Sequence, residues 1–339
     1  MEYKIQNKVR LIELFAGIGS QAKALKRISA DFEHYRVIEF DRNAMDSYNA
    51  IHETDFETSD ITKIHAADLG IENTKDYTYI MTYSFPCQDL SKNGKHRGMQ
   101  KGSGTRSGLL WEVERLLDEC EELPQVLLME NVPQVHSKNN VDDFKDWIDY
   151  LESKGYTNHW KDLNAKDHGI PQNRNRCFMV SILGDYEYEF PSGIELETNL
   201  IDLIEDDVTE YIDIDSLSGL VTVDHPYIKI KEATKKGYAE AKHGDSINLA
   251  MPKSQTRRGR VGRGVAQTLL TSPEQAIVNA AENEVNIRYL TPREYWRLMG
   301  FDDEDFDRAA EINNKSQLYK QAGNSIVVDV LEAIFKQLF

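Results

Sequence analysis

The amino-acid sequence predicts an α/β fold, in which a mostly parallel, twisted sheet is covered by helices and a smaller irregular domain is attached. Short apolar runs alternate with segments of helical spacing through residues 1–184. From residue 185 to residue 285 the apolar groups are short and irregular, and strong periodicity returns at Tyr289. We therefore expect one domain over residues 1–184, a second over residues 185–285, and a segment over residues 286–339 that returns to the first domain.

Five short apolar runs, rich in β-branched or aromatic residues, predict the strands of the main sheet. They are Val9–Phe15, Tyr35–Phe40, Thr78–Tyr83, Val126–Met129 and Cys177–Ile182. Helical spacing lies between them, and residues 109–120 place their apolar side chains on one stripe. A second stripe, over residues 326–338, predicts the last helix. This alternation favours parallel pairing, because each crossover helix returns the chain to the same end of the sheet.

Composition restricts the class of protein. The chain has 339 residues, of which 40% are hydrophobic and 29% charged, as in ordinary globular domains. No apolar run approaches the ~18 residues of a membrane-spanning helix, and the charged N-terminal residues argue against a secretory signal.

Three cysteines without a CxxC pair argue against a disulfide framework or a structural zinc site. Cys120 lies on an apolar helix face and Cys177 lies in an apolar strand, so we expect both to pack in the core. The expected compartment is reducing and intracellular, and we expect no bound metal.

The net charge of −17 argues at first against a polyanionic partner, but the charges are unevenly distributed. Residues 185–224 hold thirteen acidic residues and no Lys or Arg, whereas residues 226–264 hold ten Lys and Arg against three acidic residues. Residues 91–108 add five Lys and Arg, five glycines and no acidic residue. Because local patches decide whether a phosphate backbone can dock, two segments suit nucleic acid. We expect the acidic stretch to face away from it.

Polar signals follow the first two predicted strands, at the end where open parallel sheets bind ligands. Residues 15–19, Phe-Ala-Gly-Ile-Gly, follow the first strand, and Glu39 closes the second. With Ala22 the loop satisfies the pattern GxGxxG/A, and Glu39 lies twenty residues beyond its second glycine. This pattern indicates a cofactor with an adenosine ribose, without saying which one. A plain strand–helix turn is the alternative.

Three further signals add reactive groups. Pro86 and Cys87 follow the third strand and precede a basic segment, and nearby positive charge favours the nucleophilic thiolate. Glu130 closes the fourth strand, where a carboxylate in a partly dry crevice can share a proton with a base. Arg174 and Arg176 precede the last strand at a spacing of two, which places them on one face. A buried thiol, a solvated glutamate and an exposed arginine edge are the alternatives.

In combination these motifs resemble those of the DNA (cytosine-5-)-methyltransferases of bacterial and phage type. The resemblance covers residues 9–184 and 287–339 and rests, in the family's order, on FAGIG, SFPCQDLS, GTRSGLLWEVERLL, MENVP, QNRNR, RYLTPREYWRLMGF and YKQAGNS. It implies a Rossmann-like fold that binds S-adenosylmethionine, with a target-recognition domain in residues 185–285. Ser20, Phe40 and Ser59 depart from the commoner family residues, which affects only the shape of the adenine pocket.

The resemblance assigns roles around the cofactor. The residues that would hold S-adenosylmethionine are Phe15, Ala16, Gly17, Ile18, Gly19, Glu39, Phe40, Asp60, Ile61, Pro86, Asn324 and Ser325. Glu39 would bind the ribose hydroxyls, Phe40 would pack on the adenine and Asp60 would contact the adenine amino group. Asn324 and Ser325, expected at the start of the last helix, would close the cofactor site.

For catalysis, the resemblance implies that Cys87 attacks carbon 6 of cytosine, which makes carbon 5 nucleophilic enough to take a methyl group. Glu130 would contact N3 and the amino group of the base, while Arg174 and Arg176 would assist, Arg176 at the carbonyl oxygen. The base would be flipped out of double-stranded DNA. The residues expected to contact the DNA are Ser91, Asn93, Lys95, Arg97, Arg106, Arg257, Arg258, Arg260 and Arg263.

We expect a monomer in the cytoplasm, bacterial or phage-encoded, acting either alone or beside a cognate restriction endonuclease. Three alternatives stay open at this point. A nicotinamide-dependent oxidoreductase would explain the glycine loop and Glu39 but not Cys87 or Glu130. A DNA-binding regulator without activity is opposed by those same intact residues. An RNA cytosine-5 methyltransferase is disfavoured by the basic middle domain.

Overall fold

A computed structural model describes residues 1–86, 90, 99–102, 104–224, 227–232, 234–250, 259–281 and 284–339 of the chain. Its residues form two compact units. The first unit comprises Met1–Leu163, Asn175–Ser192 and Val330–Phe339, and the second comprises Asn164–Arg174 and Gly193–Asp329.

Through residue 184 the chain follows the predicted alternation of strands and helices. In order, the elements are β1 (Val9–Leu14), α1 (Ser20–Arg27), β2 (Phe32–Ile38), α2 (Arg42–His52), α3 (Ala66–Leu69), β3 (Thr78–Tyr83), α4 (Leu110–Glu119), β4 (Val126–Asn131), α5 (Val141–Ser153), β5 (Tyr156–Asn164), β6 (Gln172–Asn173) and β7 (Asn175–Leu183). Short 3-10 helices lie at Ser107–Leu109, Pro133–His136 and Ala165–His168. All five predicted strands are present, with small shifts at their ends.

The main sheet has the strand order β2-β1-β3-β4-β7-β5. β1 pairs in parallel with β2 and β3, and β3 pairs in parallel with β4, whereas β7 runs antiparallel to β4. The prediction of a mostly parallel sheet is therefore confirmed. Because β7 runs in the opposite direction, its first residues lie at the same edge of the sheet as the carboxyl ends of β1 to β4. The polar signals of the sequence thus share one edge.

Helix packing explains the apolar stripes. In α4 the side chains of Leu110, Val113, Leu116 and Leu117 are all buried in one core cluster, as the spacing predicted. Trp147 of α5 donates its Nε1–H to the Tyr83 hydroxyl at 3.1 Å inside the same core. With 13 residues, α5 is the longest helix that the structure describes. Within the described ranges, no helix is both long and apolar enough to cross a membrane.

Later residues form small antiparallel sheets and a group of helices. They are β8 (Val221–Asp224), β9 (Tyr227–Lys231), β10 (Tyr238–Ala241), β11 (Ser246–Asn248), β12 (Ala266–Gln267), β13 (Gln275–Ala281), β14 (Glu284–Tyr289), α6 (Pro292–Arg297), α7 (Asp303–Ala310), α8 (Lys315–Asn324) and α9 (Val328–Lys336). Two three-stranded sheets have the orders β10-β9-β8 and β11-β13-β14, and β12 pairs in parallel with β6. Short strands of this kind explain why the sequence of this region showed no clear periodicity.

One predicted helix start was wrong. Asn324 ends α8, and Ser325 follows it in an extended conformation with ψ 162°. Asn324 and Ser325 therefore lie before the last helix, which begins at Val328. The apolar stripe from residue 326 continues across this break, because Ile326 and Val327 are also buried. Periodicity alone could not show where the helix begins.

Candidate active site

The loop between β1 and α1 has a backbone conformation that glycine favours. Phe15, Gly17 and Gly19 have φ angles of 59°, 59° and 81°. A Cβ atom at Gly19 would lie 2.2 Å from Nε2 of His52, whereas a Cβ atom at Gly17 would meet no atom of the described residues within 4 Å. Packing therefore requires a glycine at position 19. Gly17 instead leaves space beside the loop for close approach of a ligand.

Glu39 directly follows β2 and turns back to this loop. Its two carboxylate oxygens accept hydrogen bonds from the backbone N–H groups of Gly17, at 2.9 Å, and Asp41, at 2.8 Å. Burial raises the pKa of Glu39, although both hydrogen bonds oppose the shift. The neighbouring Phe40 is 77% exposed, so its ring is available to pack on a flat group. A fixed carboxylate beside a glycine loop suits the hydroxyl pair of a ribose.

Asp60 lies in a turn that is tied to the same strand end. The backbone N–H of Ser59 donates to the carbonyl of Glu39 at 2.8 Å. Oδ1 of Asp60 accepts from the backbone N–H of Thr62 at 3.0 Å and from its hydroxyl at 2.8 Å, and these bonds lower the pKa of Asp60. Ile61 is buried beside it. The structure therefore brings the predicted ribose and adenine residues together.

A carboxylate–guanidinium pair occupies another strand end at this edge. The antiparallel register places Asn131 of β4 opposite Cys177 of β7, so Arg176 at the start of β7 reaches Glu130. Nε of Arg176 lies 3.2 Å from Oε1 of Glu130, and the side chains are only 16% and 11% exposed. Because little water screens the pair, the arginine holds the carboxylate in one orientation.

Two buried polar side chains hold the segment that leads to Cys87. Nδ2 of Asn131 donates to the carbonyl of Phe85 at 3.0 Å, and the hydroxyl of Ser107 donates to the carbonyl of Pro86 at 2.7 Å. The main chain is thus fixed up to the residue before Cys87, which itself lies outside the described residues. Sequence reasoning gave neither side chain a role, although Ser107 lies within the motif GTRSGLL, directly before the apolar stripe.

Arg174 and Arg176 have different partners. Arg174 is buried, and its guanidinium donates to the carbonyls of Leu269 at 3.1 Å, Gly323 at 3.0 Å and Ser325 at 2.8 Å, all within the second unit. It thereby fixes the main chain next to Asn324. A role of Arg174 at the target base stays a prediction, whereas its part in holding this segment is visible.

A buried hydrogen-bonded network under the glycine loop was not predicted. The hydroxyl of Tyr48 donates to Oε2 of Glu13 at 2.5 Å and lies 2.7 Å from Nδ1 of His34. Nε2 of His52 lies 3.1 Å from the carbonyl of Ile18 in the loop. Burial raises the pKa of Glu13 to about 7 and lowers those of His34 to about 4 and His52 to about 3. Both imidazoles are therefore neutral at neutral pH.

Of the residues predicted to contact DNA, the structure describes Arg106, Arg260 and Arg263, and all three are exposed. Arg260 has a left-handed φ of 41° and follows Gly259, where a Cβ atom would lie 2.2 Å from Cγ2 of Ile230. A strained, exposed arginine is the kind of outlier that supports a functional hypothesis. The remaining predicted contacts, Ser91, Asn93, Lys95, Arg97, Arg257 and Arg258, lie outside the described residues.

The sheet is mostly parallel, with a glycine loop after β1, a hydrogen-bonded carboxylate after β2 and a carboxylate–arginine pair at the end of β4. This is the arrangement of a Rossmann-like enzyme. Comparison with known families identifies which one. The profile described as C-5 cytosine-specific DNA methylase matches residues 9–339, and the chain belongs to this family. The protein is a DNA (cytosine-5-)-methyltransferase, and the family depends on S-adenosylmethionine.

Individual relatives agree with this assignment along the whole chain. Type II methyltransferase M2.ScrFI of Lactococcus lactis subsp. cremoris is 34% identical over 98% of this chain and 99% of its own. Orphan methyltransferase M.SssI of Spiroplasma monobiae is 31% identical over 99% of both chains. Among solved structures, the Entamoeba histolytica methyltransferase EhMeth aligns over 98% of both chains with a TM-score of 0.69 and 19% identity, which supports the fold. The predicted fold and enzyme class are confirmed, and the nicotinamide alternative is excluded.

Proposed function

We propose that this protein methylates cytosines within a short recognition sequence of double-stranded DNA, through a covalent bond between Cys87 and carbon 6 of the base. The observation that carries this proposal is the Glu130–Arg176 pair, which is held at the sheet edge beside the segment leading to Cys87. Cytosine carbon 5 is a poor nucleophile, and its activation needs a carboxyl group that can donate a proton or hydrogen bond to N3.

The proposed sequence of bond changes begins at the thiolate. Sγ of Cys87 forms a bond to carbon 6, and the displaced electron pair makes carbon 5 enamine-like. Protonated Glu130 donates a hydrogen bond to N3, where negative charge develops, and takes the proton back when the ring double bond is restored. S-adenosylmethionine, when bound, supplies the electrophilic methyl group. After transfer, the proton on carbon 5 leaves to a bound water and the S–C bond breaks, which restores the ring double bond and the thiolate. Arg176 orients Glu130 and meets the carbonyl oxygen of the base.

The cofactor residues suit S-adenosylmethionine on their geometry. Glu39 presents a fixed carboxylate to the ribose, Phe40 offers an exposed ring to the adenine, and Gly17 leaves room beside the loop. Asp60 is anchored close to the same strand end. We assign this loop and strand end to cofactor binding in the first unit.

Recognition of the target sequence is assigned to the middle domain, predicted over residues 185–285. Its support is the concentration of positive charge in residues 226–264 and the exposure of Arg260 and Arg263, whose guanidinium groups suit guanine edges and phosphates. Relatives include a protein named as type II and one named as orphan, so action with or without a cognate endonuclease is compatible with the family. We propose a monomer that acts on bacterial or phage DNA in the cytoplasm.

Substitution of the nucleophile tests the mechanism. Cys87→Ala should abolish methyl transfer and leave cofactor binding nearly intact, because the thiol acts only on the base. Cys120→Ala is the matched control, since Cys120 is a free thiol at the end of α4 and should affect stability alone. Methylation is read by bisulfite or long-read sequencing, and cofactor binding by calorimetry. Normal methylation by Cys87→Ala would contradict the covalent mechanism.

A methylation map of arginine variants tests the assignment of recognition. At least one of Arg260→Ala and Arg263→Ala should relax discrimination at a single base pair by about 1–3 kcal/mol, the worth of a bidentate base contact. Arg106→Ala is the control: it lies outside the middle domain and should slow methylation without relaxing the site. If the middle-domain variants keep full stringency while Arg106→Ala broadens the site, recognition lies elsewhere.

A further inference from the structure

Three metal-binding side chains converge next to the Glu130–Arg176 pair. His136, Asp162 and Cys177 each offer one donor atom, and these atoms all lie within 4.8 Å of one another. Nε2 of His136 lies 3.0 Å from Oδ1 of Asp162. The three residues come from different elements: His136 ends the 3-10 helix Pro133–His136, Asp162 lies in β5 and Cys177 lies in β7. Because these residues are 26 and 15 positions apart, the sequence alone did not indicate this cluster.

The donor set selects a class of ion. An imidazole nitrogen, a carboxylate oxygen and a thiol sulfur suit Zn²⁺ and similar transition metals, whereas Mg²⁺ and Ca²⁺ take oxygen ligands. Ligand atoms about 2.0–2.3 Å from a tetrahedral ion lie roughly 3.3–3.8 Å apart, so small side-chain rotations are enough to bring the observed donors into place.

Burial and charge support a cation at this point. Cys177 is fully buried, while the side chains of His136 and Asp162 are 26% and 31% exposed, so the cluster lies between the core and the surface. Arg176 pairs with Glu130, but no lysine or arginine of the described residues pairs with Asp162.

Aromatic packing limits the freedom of the imidazole. The ring centroid of His136 lies 4.9 Å from that of Trp160 and 6.2 Å from that of Phe144. The cluster is therefore prepared in position by rigid neighbours, as metal ligands in proteins usually are. A closed chain of hydrogen bonds among the three side chains, with no ion, is the competing explanation, and it predicts no metal affinity.

We propose that His136, Asp162 and Cys177 bind one zinc-class divalent cation, with a water completing a tetrahedral site. On binding, Cys177 forms a sulfur–metal bond and its thiol proton passes to solvent. Because His136 ends the short helix that follows Glu130 and Asn131, the ion would tie this segment to β5 and β7 and stabilise the first unit.

Cobalt titration of the chelator-treated, full-length protein tests the site. Wild-type protein should show a thiolate-to-cobalt charge-transfer band that saturates at one equivalent and is removed by Zn²⁺ but not by Mg²⁺. Cys177→Ser should lose the band, whereas the matched control Cys120→Ser should keep it. Cys87→Ala should also keep it, which separates this site from the proposed nucleophile. A missing band in the wild type, or a band that survives in Cys177→Ser, overturns the proposal.

His136→Gln keeps the test decisive if Cys177→Ser fails to fold. The His136 side chain is partly exposed, so this change should leave folding intact while weakening Zn²⁺ binding at least tenfold, as measured by competition with a chelating dye. Zn²⁺ should raise the Tm of the wild type and not that of His136→Gln. Equal Zn²⁺ affinity, or equal shifts of Tm, would show that these three side chains do not bind the ion.

Discussion

Two glutamates lie at the same edge of the main sheet, one after β2 and one near the end of β4, yet the protein holds them in different ways. Glu39 after β2 accepts two hydrogen bonds from backbone N–H groups, and burial raises its pKa. Glu130 at the end of β4 is paired instead with the side chain of Arg176. Glu39 is therefore held by main-chain groups near the glycine loop, whereas Glu130 is held by a side chain from the neighbouring strand β7. We propose that the first arrangement serves a cofactor hydroxyl pair and that the second serves a reacting base.

The largest expected effect is on the rate of methyl transfer, and it is at Glu130 near the end of β4. Glu130→Gln should lower the rate of methyl transfer by about 10²–10⁴, the usual contribution of a positioned proton-transfer or charge-stabilising group. Its affinity for S-adenosylmethionine should stay unchanged, because Glu39 and the glycine loop are intact. Single-turnover methylation and calorimetry measure the two quantities. If Glu130→Gln lost cofactor affinity but transferred methyl groups at the normal rate, Glu130 would serve the cofactor and not the reacting base.

Glu13 is a third glutamate, with no proposed role in cofactor binding or in catalysis. Its substitution should instead change the stability of the protein. Burial raises its pKa from an ordinary 4.5 to about 7, so the folded state binds its proton more tightly than the unfolded state. The resulting stabilisation is present below the unfolded pKa and is lost as pH rises through about 7. Across that window the stability of the wild type relative to Glu13→Gln should fall by roughly 3 kcal/mol.

Urea unfolding of both proteins at several pH values measures this difference. Because His34 and His52 are present in both proteins, their own titration cancels in the comparison. A pH-independent difference would show that Glu13 is ionised in the folded protein, despite its burial beside Tyr48.

The smallest expected effect on the rate of methyl transfer is at Glu39, after β2. Glu39→Ala should weaken S-adenosylmethionine binding by about 1.5–3 kcal/mol for each charged hydrogen bond that is lost. Binding of DNA alone should be unaffected, and the rate at saturating cofactor should fall far less than in Glu130→Gln. Calorimetry of cofactor binding, with DNA binding as the control, decides it; unchanged cofactor affinity would remove the proposed distinction between the two glutamates.

The sequence predicted those features that depend on residues close together along the chain. Thr78–Tyr83 and Val126–Asn131 are buried along their whole length, so their apolar sequences indicated strands, and Glu39 stood at a diagnostic spacing from the glycine loop. β5 was missed because it is only partly buried and carries polar residues such as Lys161 and Asp162. An edge strand of mixed polarity has no apolar pattern to detect.

Contacts between distant residues explain the other omissions. Glu13 looks like a polar interruption of an apolar strand, and only the folded chain places Tyr48 beside it. Arg174 and Arg176 have the same spacing and chemistry in the sequence, but the structure gives one of them three carbonyl partners and the other a carboxylate. Residue type and spacing identified these side chains as candidates, but they could not predict which partners each one has.

The antiparallel register of β4 and β7 makes the Glu130–Arg176 pair independent of the chain between the two residues. Six ladder positions, from Val126 opposite Ile182 to Asn131 opposite Cys177, fix where Arg176 emerges. Insertions in the turn between α5 and β5 should therefore leave the pair in place. One residue inserted within β7 itself would shift the ladder and exchange the two faces of the strand beyond it. Changes in chain length around this pair are therefore tolerable in the connecting turns but not within the paired residues of β4 and β7.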